Sequence, residues 1–583
     1  MRNQEITGYP SIDKPWLKYY SDETLHMELP MMNCYSYMKQ CNSESFDKVA
    51  LDYEYVSITY GELFTRIDEV ANSLIAIGIN EGDTITSCLP NIPEAVYLIY
   101  AAAKIGARID LIDPLTNQSL LAKYCNNAES KAFFTLDIMG ESAISNLSIC
   151  TYDYVILVSP VESLPVPNTT SDGITFNESV ISWATYLDKG KNIQSKLVEY
   201  KKDKPFAILH TGGTTGIPKG ALLSHDNLNS LAFQVINSLE MQSGETVLSF
   251  MPPFASYGIG YGIHVHLCAS LRVRLIPAYD PSIADKQLLQ FQPNRFCGSP
   301  AHIECLANSK LLKNQDLSFL HNVFEGGDTL AFKTEIGMND LLRKGGCKER
   351  IAKGYGLTES CTGVCICINN EVNKPLSVGI PLFKNTMAVF DFEDYQKELL
   401  YNEIGEIAVL SPNNMLGYLN MPEETSKTLR MHSDGKVWLH TGDIGRIDED
   451  GNVFIDGRIR RMIIQYCGLK SNPFEAEEVI AEHALVKRVV VVGVKDPEHD
   501  QGELPVAFVE IAPENFDKQQ ELREELHRMC EERVTYYSVP VDYIFVDSYP
   551  ETSRGKIDYR ELSRRYNEIA GTRQMIHQKQ LLV

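Results

Sequence analysis

The sequence predicts an α/β protein, with a large N-terminal domain of αβ-layered, mainly parallel sheets and a small C-terminal α+β domain. Two observations carry this. Apolar strands alternate with helical periods over most of the chain, the pattern of strand–helix–strand units. Beyond about residue 440 the texture changes to hairpin turns and then to a short, separate set of strands and helices. The 583 residues also exceed one ordinary core and suit about two to four domains of roughly 100–200 residues.

In chain order, Asn91-Ile-Pro93-Glu94 opens an apolar helix through Lys104, with proline in its first turn and Gly106 just past its end. ARIDLIDP reads as a short strand. FAILH (206–210) is another, and it delivers the chain into a glycine-rich loop. SHDNLNSLAFQVINSL then places Leu228, Leu231, Val235 and Leu239 at helical spacing behind Ser224 as N-cap. His225 reads as a helix-start residue rather than a catalyst. TGDIGRIDEDGNVFIDGR (441–458) is a hairpin turning at Glu449-Asp450-Gly451-Asn452. After it come a helix near FEAEEVIAEH, the strands VVVVGV and PVAFVEI, a charged helix (517–534) and the strand YIFV. The break between domains is expected at Asp456–Arg460, giving domains of 1–456 and 457–583.

Composition removes some functions. Lys+Arg number 54 against 77 Asp+Glu, a formal charge of −23. Such a surface repels phosphodiester backbones and anionic lipid, which argues against a nucleic-acid or membrane-surface protein. No apolar run approaches the ~18 residues of a membrane span. The N-terminus lacks a basic-then-apolar leader pattern, so a cytoplasmic protein is expected. Fourteen cysteines lie without paired spacing, as reduced, buried small hydrophobes do. CTGVCIC (361–367) has no partner motif nearby and alternates like a strand, so it reads as a strand rather than a metal site.

The chemistry concentrates in HTGGTTGIPKGA (210–221). Gly212, Gly213 and Gly216 let the backbone approach an anion closely. Thr211, Thr214 and Thr215 add hydroxyls, and Lys219 adds a positive charge. The loop is not a Walker A loop, because Lys219 sits between Pro218 and Gly220 and cannot open a helix. Pro218-Lys219 is instead expected at the tip of a flexible cover over phosphates.

TGGTTGIPKG resembles the signature loop of the adenylate-forming superfamily, which includes acyl- and aryl-CoA synthetases, peptide-synthetase adenylation domains and beetle luciferases. Further motifs follow in the family's order: EGGDTL (325–330), GYGLTES (354–360), TGD (441–443), IDGR (455–458) and PETSRGKID (550–558). LPNIPEAVYLIYAAAKIGA is similar to the family's early helix, so the resemblance spans about residues 50 to 570 and is nearest to bacterial AMP-forming acyl-CoA synthetases.

What the resemblance implies is ATP-dependent activation of a carboxylic acid to acyl-AMP, followed by thioester formation with CoA and release of AMP and pyrophosphate. Two anions must meet in the first step, so cations must offset their repulsion and the leaving-group charge. By resemblance Lys219 and its loop bind the β- and γ-phosphates, and Thr358 bonds the α-phosphate. Glu359 is a Mg²⁺ ligand, with Thr211 a second candidate. Gly326, Gly327 and Asp328 line the adenine pocket, Tyr355 and Gly356 are further nucleotide-binding positions, and Asp443 with Arg458 holds the ribose hydroxyls. Lys556 bridges the acid and the α-phosphate. Phe254, Tyr257 and Gly258 are acyl-pocket candidates. The C-terminal domain is a mobile lid that turns about Arg460, withdrawing Lys556 and bringing GLKSNP (468–473) to the site.

The chain also departs from the family pattern. In MPPFASYGIGYG (251–262), Ala255 stands where many relatives carry histidine, and it cannot pair with a substrate ammonium, which disfavours an amino acid. Arg461 stands where acidic residues are frequent, so the CoA contacts follow the pattern less closely than the ATP contacts. Two other readings compete: a stand-alone enzyme loading an acyl group onto the phosphopantetheine of an acyl carrier protein, and a nucleotide sensor without catalysis. The acid and the oligomeric state are not legible in the sequence.

Overall fold

The structure is a computed structural model. It describes residues 6–145, 150, 152–165, 176–211, 219–278, 280–328, 330, 332–458, 463–471, 473–499, 501–550, 557, 559 and 561–568. These residues fall into two compact units, one ending at Arg458 and the other beginning at Ile463.

The larger unit holds three sheets. A nine-stranded sheet carries a parallel centre made of Val49–Tyr53, Arg272–Leu275, Thr246–Ser249, Arg295–Gly298, Asn322–Glu325 and Ala352–Tyr355. An eight-stranded sheet runs parallel from Pro205–Thr211 through Arg108–Leu111, Thr84–Cys88, Ser130–Leu136 and Tyr154–Val158 to Val180–Ser182. The third sheet departs from the mainly parallel expectation. Thr386–Phe390, Gly405–Leu410, Val437–Ile447, Leu429–Met431 and Val453–Arg458 pair antiparallel throughout. Short turns join Leu429–Met431 to Val437–Ile447 and that strand to Val453–Arg458, whereas a longer stretch with the helix Pro422–Thr428 separates Gly405–Leu410 from Leu429–Met431.

Local sequence explains the elements that matter for the site. The helix Pro93–Ile105 has Pro93 at its first position and ends on Gly106 in the left-handed region, at φ 73°. All of its residues are buried, as its apolar periphery requires. The helix His225–Ile236 is capped by Ser224, whose hydroxyl accepts from Asn227 N while the Asn227 side chain returns a bond to Ser224 N. It stops short of Leu239, which is buried in the following turn. His225 lies stacked on Phe206 at 4.4 Å, its Nδ1 accepts from Cys34 N, and burial holds its pKa down to about 3. It is a neutral structural histidine. Cys365–Ile366 is a short strand as its alternation predicts, and burial pushes the Cys361, Cys365 and Cys367 thiols up.

The N-terminal segment has a structural role that its sequence did not announce. Trp16 is buried in a cluster with Tyr20, Val372, Ile380 and Phe383. Lys18 pairs with Asp450 at 2.7 Å, and Ser11 donates to Glu398 at 2.7 Å. Residues from the two ends of the unit are thereby stapled together.

The smaller unit pairs Val486–Lys495 antiparallel to Glu503–Ile511, which in turn runs parallel to Asp542–Val546. The helices Pro473–Ala481 and Gln519–Arg533 bury Ile480, Leu522 and Leu526 against Val491, Ala507 and Val509. Ile463–Ile464 and Lys470–Ser471 form a hairpin whose turn contains Gly468 at φ 80°.

Candidate active site

Parallel strands deliver functional residues from their C-terminal ends, the usual location of ligand crevices in open α/β sheets. Here Thr211 ends Pro205–Thr211, Gly326 follows Asn322–Glu325, and Tyr355 ends Ala352–Tyr355. The sequence-predicted residues Gly212, Gly213, Thr214, Thr215, Gly216, Arg460 and Lys556 lie outside the described residues.

The two residues expected to hold the ribose come from the antiparallel sheet. Asp443 on Val437–Ile447 stands in register with Arg458 on Val453–Arg458, so a hairpin closes residues 15 apart in sequence onto neighbouring positions. Asp443 is 2% exposed and accepts a 2.6 Å bond from the Tyr355 hydroxyl. Its backbone N donates to Thr441 Oγ1 at 3.0 Å, and that hydroxyl donates to Ile407 O. Gly442, at φ 72°, donates its N–H to Glu406 Oε1, whose other oxygen meets His440 Nδ1 at 2.9 Å. The TGD turn is therefore held from behind by a carboxylate and a histidine. Neither Thr441 nor Glu406 was singled out from sequence.

GYGLTES leaves its strand at Tyr355 and makes a short 3-10 turn at Thr358–Ser360. Cys361 and Thr362 follow at φ 49° and 86°, a costly conformation for non-glycine residues that marks a constrained turn. Gly356 is required there, because a Cβ would stand 1.2 Å from the Thr362 carbonyl oxygen. The Thr362 hydroxyl in turn donates to Ser256 O, joining this turn to the 251–262 segment. Thr358 and Glu359 are half-buried.

Glu359 accepts on Oε1 a 2.6 Å bond from the Tyr418 hydroxyl, and its carbonyl accepts from Met415 N. Tyr418 belongs to the short strand Gly417–Tyr418, which pairs with Lys219–Ser224. The same tyrosine ring lies under the Lys219 ammonium at 4.9 Å. Tyr418 thus touches both the lysine and the glutamate that the motifs single out, and sequence reasoning passed it by. The only signal for it was Gly417-Tyr418 standing just before Met421-Pro422-Glu423-Glu424, a helix start.

Lys219 corrects one expectation. It is not at the tip of a cover but at the first position of the strand Lys219–Ser224, in register with Thr211 across the antiparallel pair. Its side chain is 3% exposed and ion-pairs with Glu424. Pairing with Pro205–Thr211 fixes the backbone on both sides of the 212–218 loop, so the lysine belongs to the sheet.

Of the acyl-pocket candidates, Tyr257 lies beside Gly326 and Gly327. It begins the π-helix Tyr257–Val265, and its ring has Cζ 3.6 Å from where a Cβ on Gly326 would stand. Its hydroxyl donates to Gly298 O at 3.3 Å. Tyr261 stacks on Phe324 at 4.3 Å beside it. Gly258 serves close packing, since a Cβ would lie 1.8 Å from Pro252 O. Phe254 is half-buried against the main core. Gly327, at φ 105°, is exposed, and Asp328 follows it half-buried.

The AMP-binding enzyme family matches residues 38–419, and the AMP-binding enzyme C-terminal domain matches residues 475–556. The chain belongs to the AMP-binding enzyme family. A long-chain-fatty-acid–CoA ligase of Bacillus subtilis is 30% identical over 94% of this chain and 97% of its own. A 4-coumarate–CoA ligase of Vanilla planifolia is 28% identical over 86% and 89%. The solved structure of ATP-bound MatB from Rhodopseudomonas palustris superposes with a TM-score of 0.64 at 25% identity, covering 92% of this chain and all of that one. The enzyme is an AMP-forming acid–thiol ligase of the acyl-CoA synthetase type, using ATP and CoA.

Proposed function

We propose that Lys219, Tyr418 and Glu359 form the phosphate end of the ATP site and that Tyr355, Asp443 and Arg458 form its ribose end. The observation that carries this reading is the bridging position of Tyr418, with its ring under the Lys219 ammonium and its hydroxyl on Glu359. A cation for the departing phosphates and a carboxylate for a hard metal ion are thereby held by one side chain. Gly326, Gly327, Asp328 and Gly356 supply the backbone around the base, with the 212–216 loop and Thr211 over the phosphates.

In the first half-reaction an oxygen of the substrate carboxylate attacks the α-phosphorus. The new O–P bond forms as the bond to the β-phosphate bridging oxygen breaks, and pyrophosphate carries away the electron pair. Lys219 offsets charge on the leaving group, Thr358 donates to an α-phosphate oxygen, and Lys556 bridges the two reacting anions. Glu359 suits Mg²⁺: Tyr418 occupies Oε1, and magnesium takes one or two carboxylates and completes its shell with phosphate oxygens and water. When bound, the ion supplies charge neutralisation of the phosphates. In the second half-reaction the thiolate of CoA attacks the acyl carbon and AMP leaves. The C-terminal domain turns about Arg460 between the halves. A CoA acceptor is favoured over a carrier protein because both named relatives are CoA ligases.

For the acid, the aromatic set Tyr257, Tyr261 and Phe324 behind Gly326 favours an uncharged, apolar or aromatic acyl group. A panel of carboxylates scored by pyrophosphate release, with and without CoA, tests the reading. Apolar acids should give CoA-dependent turnover. Pyrophosphate release with no CoA consumption for any acid would overturn the acceptor assignment.

A further inference from the structure

The Lys219–Glu424 ion pair is not part of the motif set, and Glu424 has no assigned role. Glu424 lies in the first turn of the helix Pro422–Thr428. Its Oε2 holds the Lys219 ammonium, and its Oε1 meets Lys427 at 2.5 Å. These two lysines hold its carboxyl down to about 2, so it is ionised at neutral pH. Lys219 is thus covered on one side by the Tyr418 ring and on another by a carboxylate, at 3% side-chain exposure.

We propose that Glu424 competes with the phosphates of ATP for Lys219, and so sets how tightly the enzyme holds a triphosphate and how readily pyrophosphate leaves. This rests on the assignment of Lys219 to the β- and γ-phosphates. A carboxylate and a phosphate oxygen brought to one ammonium repel each other at close range. Binding of the triphosphate must therefore loosen the Glu424 contact. The molecule provides for this exchange: Lys427, 58% exposed and three residues on in the same helix, already holds the other oxygen of Glu424. Releasing Lys219 does not strand an unpaired carboxylate. As the pyrophosphate departs, Glu424 recaptures the lysine and removes the main cation that would retain the product.

The test is equilibrium binding of ATP and of AMP to the full-length enzyme and to Glu424→Gln, followed by the rate of pyrophosphate release. AMP lacks the β- and γ-phosphates, so it reports on the folded nucleotide site without the competition. The expected result is ATP bound about tenfold tighter, AMP unchanged, and pyrophosphate released more slowly. Unchanged or weaker ATP binding with AMP intact would make Glu424 a positioning support and sink the competition. Loss of both nucleotides would show that the ion pair holds the fold, which also overturns the proposal. Lys219→Ala separates the underlying assignment: it should weaken ATP and spare AMP. If it leaves ATP binding intact, the assignment of Lys219 to the phosphates fails, whatever Glu424→Gln does.

Discussion

Replacing Tyr355 by phenylalanine isolates one bond at the proposed ribose end. The ring and its packing remain, while the 2.6 Å bond from the hydroxyl to Asp443 is lost. Asp443 is 2% exposed, so water does not readily replace the missing donor. A hydrogen bond to a charged group contributes about 1.5–3 kcal/mol, roughly a 10- to 150-fold change in affinity. Asp443 keeps its backbone contact through Thr441, which points to the lower end, about tenfold. The ribose is common to ATP and AMP, so both should weaken alike. The KM for ATP should rise about tenfold with kcat within about twofold, the signature of lost uniform binding. Calorimetric titration with each nucleotide and steady-state pyrophosphate release measure these quantities. Affinities within twofold of the parent enzyme, or ATP weakened with AMP spared, would refute the placement of the ribose at Asp443.

The remaining predictions address other parts of the molecule. Lys556→Ala should abolish adenylation yet largely spare thioester formation from supplied acyl-adenylate; equal loss of both halves in single-turnover assays would contradict that division. Gly356→Ala drives a Cβ into the Thr362 carbonyl, so pyrophosphate release should collapse and thermal stability should fall by about 1–3 kcal/mol, whereas a normal melting curve would show that the turn can yield. Glu94 is buried in the helix Pro93–Ile105, and burial raises its pKa from the ordinary 4.5 to about 7 despite the Ser163 bond. The folded state therefore holds this proton where the unfolded chain has lost it. Its contribution is present below about pH 4.5 and is lost as the pH rises to about 7, at most about 3 kcal/mol. Denaturation curves for Glu94→Gln should show a smaller loss of stability across that window, and an identical pH profile would remove the assignment.

Much of the candidate site was legible because its residues lie in short, ordered motifs whose chemistry is local. The glycines at 327 and 356 mark backbone that turns left-handed or that cannot carry a Cβ. Tyr355, Thr358 and Glu359 fall within five residues of one strand end, and Asp443 and Arg458 face each other because a tight turn fixes a hairpin's register. The alternation of strands and helices also gave the parallel sheets, since period-2 and period-3.6 patterns are properties of the chain itself. The antiparallel third sheet was less visible because its strands pair across long stretches, such as Gly405–Leu410 with Val437–Ile447.

What the sequence alone determined is the family: a glycine- and threonine-rich segment, a Thr-Glu pair, a TGD aspartate and a late lysine, in the order of enzymes that join a carboxylate to a nucleotide. Only the tertiary structure decided how those groups are held. Lys219 rides on a strand rather than a loop tip because it pairs back onto Thr211. Tyr418 and Glu424, some 200 residues away, complete its surroundings through a strand pairing and a helix that no local pattern connects to the loop. Trp16 anchors the N-terminal segment by the same kind of distant burial. Sequence spacing carries information about neighbours along the chain. Partners such as Tyr418 and Glu424 are chosen by packing, through contacts whose energies depend on distance in space.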